Sequence, residues 1–86
     1  MSKRVAVMGI IVENPEVVSE LNSLLHEYSN FIIGRMGIPY REKIISIISI
    51  AIDAPQDDIS ALSGRIGKLP GVSVKTAYSN VVTDDE

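Results

Sequence analysis

Lys43-Ile44-Ile45-Ser46-Ile47-Ile48-Ser49-Ile50-Ala51-Ile52-Asp53 is a β-rich run with aliphatic residues on both parities, and it stops at an acid followed shortly by Pro55. A strand that is apolar on both sides belongs in the middle of a sheet with both faces covered. A similar ending occurs once before it. Ile10, Val12, Glu13 and Pro15 match Ile50, Ile52, Asp53 and Pro55 at an offset of forty, and Val18, Leu21, Leu25 and Tyr28 match Ile59, Leu62, Ile66 and Leu69 at an offset of forty-one. Each half therefore reads as a strand, a proline-opened turn and an amphipathic helix, the pattern of a split βαβ fold.

Working outward, Val5 to Val12 forms the first strand, after which Asn14 suits a helix N-cap and Pro15 the first helical position. Val17, Val18, Leu21, Leu24, Leu25 and Tyr28 then make an apolar stripe, while Asn22, His26 and Glu27 belong to the solvated side. Phe31 to Ile38 reads as a glycine-interrupted strand, and Pro39-Tyr40-Arg41-Glu42 turns it back into the isoleucine-rich strand as a hairpin. Pro55, Asp57 and Asp58 open a second helix, Pro70-Gly71 stops it, and Val72 to Tyr78 alternates as an edge strand. The order is βαββαβ, an α+β ferredoxin-like sandwich with a four-stranded antiparallel sheet and two helices on one face. The domain is expected over residues 1–80, with 81–86 as an acidic disordered tail.

Eighty-six residues make one core, and 45% hydrophobic with 22% charged residues is a globular composition. The absence of cysteine excludes disulfides, thiolate metal sites and thiol nucleophiles. A net charge of −3 argues against a surface built to neutralise many phosphates, so no direct nucleic-acid partner is expected. Met1-Ser2-Lys3-Arg4 reads as a mature cytoplasmic start, and no apolar run approaches the ~20 residues of a membrane helix. His26 is the only histidine, and Asp53, Asp57 and Asp58 complement a helix start. No catalytic constellation, metal site or cofactor motif is present, and no enzyme activity is expected.

In this topology the first and third strands are central, and the helices cover one face only. Some six apolar side chains then remain on the other face, worth on the order of 10 kcal/mol, comparable to the ~4–15 kcal/mol cost of association. A domain with no disulfide or structural metal gains from such association, so a homodimer or homotetramer is expected. Met8, Ile10, Val12, Ile45 and Ile47 are the expected interface residues. Arginine forks suit carboxylate or phosphate ligands, and Arg35 and Arg41 flank the constrained hairpin. Together with Glu13 and Asn14 in the turn after the first strand, they are the expected ligand-binding residues. The alternative is a ligand-free interaction module that caps or regulates a partner protein.

Ile11-Val12-Glu13-Asn14-Pro15, Arg35-Met36-Gly37-Ile38-Pro39-Tyr40-Arg41-Glu42, Ala61-Leu62-Ser63-Gly64-Arg65-Ile66-Gly67 and Gly71-Val72-Ser73-Val74-Lys75-Thr76 resemble the ACT-like iron-only hydrogenase system regulator family. That family is grouped with ACT domains and the C-terminal domain of the nickel-responsive repressor. The resemblance implies a regulatory, ligand-sensing, oligomeric module in transcriptional or metabolic control. Amino-acid-binding ACT domains usually carry a glycine in the turn where this chain has Glu13-Asn14-Pro15. The nickel repressor domain uses several histidines and a cysteine, against one histidine and no cysteine here. Any DNA reading is expected from a separate DNA-binding or hydrogenase-related protein.

Overall fold

Strand β1 (Ser2–Val12) pairs antiparallel with β3 (Ile45–Ala54) on one side and β4 (Val72–Asp84) on the other, while β2 (Ile32–Tyr40) pairs with β3. The sheet order is β2-β3-β1-β4, which makes β1 and β3 central. Helices α1 (Val18–Glu27) and α2 (Gln56–Gly67) follow β1 and β3 respectively. The structure, a computed structural model, describes residues 2–84. It has the α+β ferredoxin-like fold that the sequence pattern predicts, of the ACT type that the resemblance implies.

The parity of each central strand is sharply resolved. Ala6, Met8, Ile10 and Val12 on β1 and Ile48, Ile50, Ile52 and Ala54 on β3 are buried beneath the helices. They pack with Val17, Leu21 and Leu25 from the first helical segment and Ile59, Leu62 and Ile66 from α2. These helix residues recur at three- and four-residue spacing, which puts them on one stripe. Met8, Ile10 and Val12 were expected at a subunit interface and are instead core; Ile45 and Ile47 do lie on the open side, the latter paired with Ile11. The physical reason is volume. Even positions of β1 carry side chains large enough to fill the layer under two helices, whereas odd positions include Gly9.

Local chemistry fixes the ends. The Asn14 side chain accepts a hydrogen bond from the Glu16 N–H at 3.0 Å, capping a 3-10 turn at Pro15–Val17 that leads into α1. Gly71 has φ 75°, and a Cβ there would lie 2.7 Å from the Asn14 Cβ, so this close approach requires glycine. Its carbonyl accepts from the Glu13 N–H at 2.7 Å, fastening the turn after β1 to the turn before β4. β4 does not end at Tyr78 as alternation predicts. A register shift between Arg4 and Ala6 admits extra β4 residues, and Ser2, Lys3 and Arg4 then pair with Asp84, Thr83 and Val82. The first four residues of the expected tail are therefore strand, and the rest of that tail, 85–86, lies outside the described residues. Among the described residues no helix is long and apolar enough to cross a membrane.

Candidate functional site

The face of the sheet away from the helices is the largest unexplained feature. Val5, Val7, Gly9 and Ile11 of β1 lie beside Asp53, Ala51, Ser49 and Ile47 of β3. On β2 a register shift between Ile32 and Gly34 turns Met36, Ile38 and Tyr40 to this same side, beside Ser49, Ile47 and Ile45. Val7 is 46% exposed, Ile11 41% and Met36 60%, values that leave much of each side chain in water. Strand propensity explains why these residues form the sheet, but among the described residues no element covers them.

Within this face is a depression of about 260 Å³ lined by Gly9, Ile10, Ile11, Ile47, Ser73 and Lys75. Its floor exists because Gly9, between Ser49 on β3 and Lys75 on β4, carries no side chain. A Cβ at Gly9 would meet nothing nearer than the Lys75 carbonyl oxygen at 4.0 Å. Sequence reasoning did not single out Gly9. The available signal was a lone glycine inside a central strand, which marks a bulge or a close approach by another group.

The expected polar ligands do not form one cluster. Glu13 and Asn14 follow β1, whose last residue pairs with Ser46, and Arg41 begins the turn between β2 and β3, so these three share one end of the sheet. Arg35 sits farther along β2 beside Ile50 and turns to the helix side, where it donates to the Asn22 side-chain oxygen on α1 at 2.7 Å. That bond ties an edge strand to a helix. Asn14 is engaged as the cap already described.

On the helix side, Arg65 of α2 pairs with Glu27 of α1 at 2.7 Å, and its guanidinium carbon lies 5.8 Å from the centre of the Tyr28 ring. The hydrogen bond from Arg65, with its charge, holds the Glu27 carboxyl below its ordinary range; the same bond raises the Arg65 pKa. This pair is a clamp between helices. His26 is exposed on α1, and Asp57 and Asp58 lie in the first turn of α2. Among the described residues no group of three or more histidines and carboxylates could hold a metal ion.

Comparison with known proteins adds three findings. The family described as "TM1266-like: Iron-only hydrogenase system regulator, putative" matches residues 4–76. The structure of the uncharacterized protein TM1266 from Thermotoga maritima superposes with a TM-score of 0.85 at 38% sequence identity, covering 88% of this chain and 96% of that one. A formyltetrahydrofolate deformylase from Pseudomonas putida KT2440 gives a TM-score of 0.66 at 11% identity over 90% of this chain and 29% of that one, a likeness of fold alone. A search of curated proteins returns no match.

Proposed function

Because the chain belongs to the TM1266-like family of iron-only hydrogenase system regulators, we propose that it works as a homo-oligomeric ACT-like regulatory domain whose subunits meet through the open sheet face and hold a small effector between them. The observation that supports this most is the uncovered apolar surface. Val5, Val7, Ile11, Met36, Ile38, Tyr40 and Ile47 share it and are each at least 38% exposed. Together they present on the order of 600 Å², the upper end of the ~300–600 Å² that the largest patch on a monomer reaches. A standard interface buries ~800 Å² per partner, so this patch supplies most of one.

The regulator description favours binding over catalysis. Glu13 and Arg41 lie at the same end of the sheet, and an effector bound there would reach both the turn after β1 and the hairpin. With a net charge of −3, the domain would act on transcription through a separate DNA-binding or hydrogenase-related protein in the cytoplasm rather than on DNA itself. Sedimentation equilibrium at micromolar concentration tests the reading: a dimer or tetramer is expected. A protein that stays monomeric there would overturn it, and would favour the alternative in which the same face caps a different protein.

A further inference from the structure

Large apolar side chains are not spread evenly over the open face. Beside Val7, Gly9 and Ile11 of β1, the outer strand β4 carries Ala77, Lys75 and Ser73, none of them a large apolar residue. The exposed residues Val7, Ile11, Met36, Ile38, Tyr40 and Ile47 all belong to β1, β2 and β3. Of those three strands β3 is the middle one, so the apolar area is centred on β3 and not on the midline of the four-stranded sheet. A two-fold contact uses the same patch on both copies, and the shared area is greatest when the axis passes over the centre of that patch.

One row of residues across the face decides the direction of the axis. Met36 of β2, Ser49 of β3 and Gly9 of β1 are paired in turn across the sheet. A protrusion and a hole therefore stand on either side of Ser49, each one strand spacing of ~4.8 Å away. Met36 is 60% exposed, more than Val7, Ile11, Ile38 or Ile47. The depression of about 260 Å³ above Gly9 is almost wholly apolar, with Ile11 and Ile47 in its lining. An axis running across the strands would set Met36 on Met36 and hole on hole. An axis running along β3 sets Met36 of each copy over Gly9 of the other and fills both voids, as close packing requires. The unbranched thioether of methionine suits an irregular gap of this kind. Ser49, small and half-buried, then faces its own copy and lets the two sheets approach.

We propose that a second copy docks on the open face with β3 over β3, the strands running the same way, so that Met36 of each protomer fills the depression above Gly9 of the other. The proposal rests on the oligomeric reading above and fixes how its subunits meet. Aligned sheets stack ~10 Å apart and cross at about 30°. In this arrangement β4 overhangs the edge strand β2 of the second copy, so Lys75 keeps its water instead of being desolvated against an apolar surface. Asp53 lies ~13 Å along β3 from Ser49. There the crossing has carried the two strands ~7 Å apart sideways, which leaves the like charges about a Debye length from each other.

Sedimentation equilibrium of the full chain and of a size-swapped pair tests the contact. Met36→Ala and Gly9→Met are each expected to keep the native circular dichroism spectrum and to weaken association at least about tenfold. Within one protomer the two positions are two strands apart, ~10 Å, too far to couple directly; across the proposed interface they touch. In the double variant, where methionine at one position meets alanine at the other, the loss is expected to be at least about tenfold smaller than the product of the single losses. The chain has no cysteine, so one introduced thiol reports its own position. Ser49→Cys is expected to be joined into a covalent dimer by bismaleimidoethane, whereas Ala77→Cys, whose copies would lie about 20 Å apart, stays unlinked. Losses that simply multiply, or Ala77→Cys linking as readily as Ser49→Cys, in a protein that sediments as an oligomer overturn this arrangement and leave the oligomeric reading standing. A native protein that is monomeric at micromolar concentration overturns both.

Discussion

Ile10 and Ile11 are neighbours in β1, and the structure assigns them opposite consequences on truncation. Ile10 is fully buried beneath the helices, whereas Ile11 is 41% exposed on the open face. Ile10→Ala leaves a cavity in the layer shared with α1 and α2, and such truncations destabilise folding by ~2–5 kcal/mol. That loss should be independent of protein concentration. For Ile11, full burial is worth ~1.5–3 kcal/mol, so the 41% still in water represents ~0.6–1.2 kcal/mol to be gained on association. Two-fold symmetry uses the site twice, which makes Ile11→Ala weaken a dimer by ~1–2.5 kcal/mol, or about five- to sixtyfold in Kd. The part of Ile11 already sheltered within the protomer should reduce fold stability by only ~1 kcal/mol. Sedimentation equilibrium gives the Kd, and urea unfolding at two protein concentrations a hundredfold apart separates folding from assembly. Equal losses in the two variants, with no change in sedimentation for Ile11→Ala, would refute both the parity assignment and the interface.

Gly71→Ala should lower the melting temperature by roughly 5–15 °C, since φ 75° and the approach to Asn14 together disfavour any Cβ by ~1–3 kcal/mol; a shift below about 2 °C speaks against this close contact. Ile44 is 74% exposed with φ 55°, a left-handed backbone that a β-branched residue rarely adopts. Ile44→Asn should therefore stabilise the hairpin by ~0.5–1 kcal/mol in thermal melts, and a lower melting temperature refutes the strain. Glu27 is held below its ordinary pKa by Arg65, so its contribution is present above the unfolded value and disappears as pH falls through the folded one. Glu27→Gln should lower the melting temperature slightly at neutral pH, and the difference should vanish in acid once the native Glu27 is itself protonated. High salt should shrink the gap, because both partners are exposed; a gap that is constant with pH and salt removes the clamp.

The repeated strand ending with its proline and helical stripe was enough to read the fold, because both halves obey the same packing rule and each helix has one apolar face. The parity of β1 was harder. Val5, Val7 and Ile11 are as hydrophobic as Met8, Ile10 and Val12, so hydrophobicity alone could not choose which set meets the helices. Small and polar residues carried the answer. Gly9 on β1 and Ser49, Ala51 and Asp53 on β3 share one side, and that side cannot fill the layer beneath two helices. The extension of β4 was hidden because it depends on the N-terminal residues Ser2 to Arg4 being strand and on a register shift that no local pattern announces. Arg35 was legible as an unusual residue but not as a tie to Asn22, which is thirteen positions away and reached only once α1 is laid over β2.

Coupling between an effector and assembly obeys the same symmetry. An effector that binds only the assembled dimer, once per protomer, stabilises it by 2RT ln(1 + [L]/Kd), ~2.7 kcal/mol at about ninefold over Kd. Ile38, on β2, is 50% exposed on the same face. By the reasoning used for Ile11, Ile38→Ala weakens a dimer by ~1.5–3 kcal/mol. An effector at that excess should therefore return the sedimentation of Ile38→Ala close to that of the unliganded native protein. An effector that binds yet leaves the association of Ile38→Ala unchanged has equal affinity for monomer and dimer, and by linkage it cannot regulate assembly.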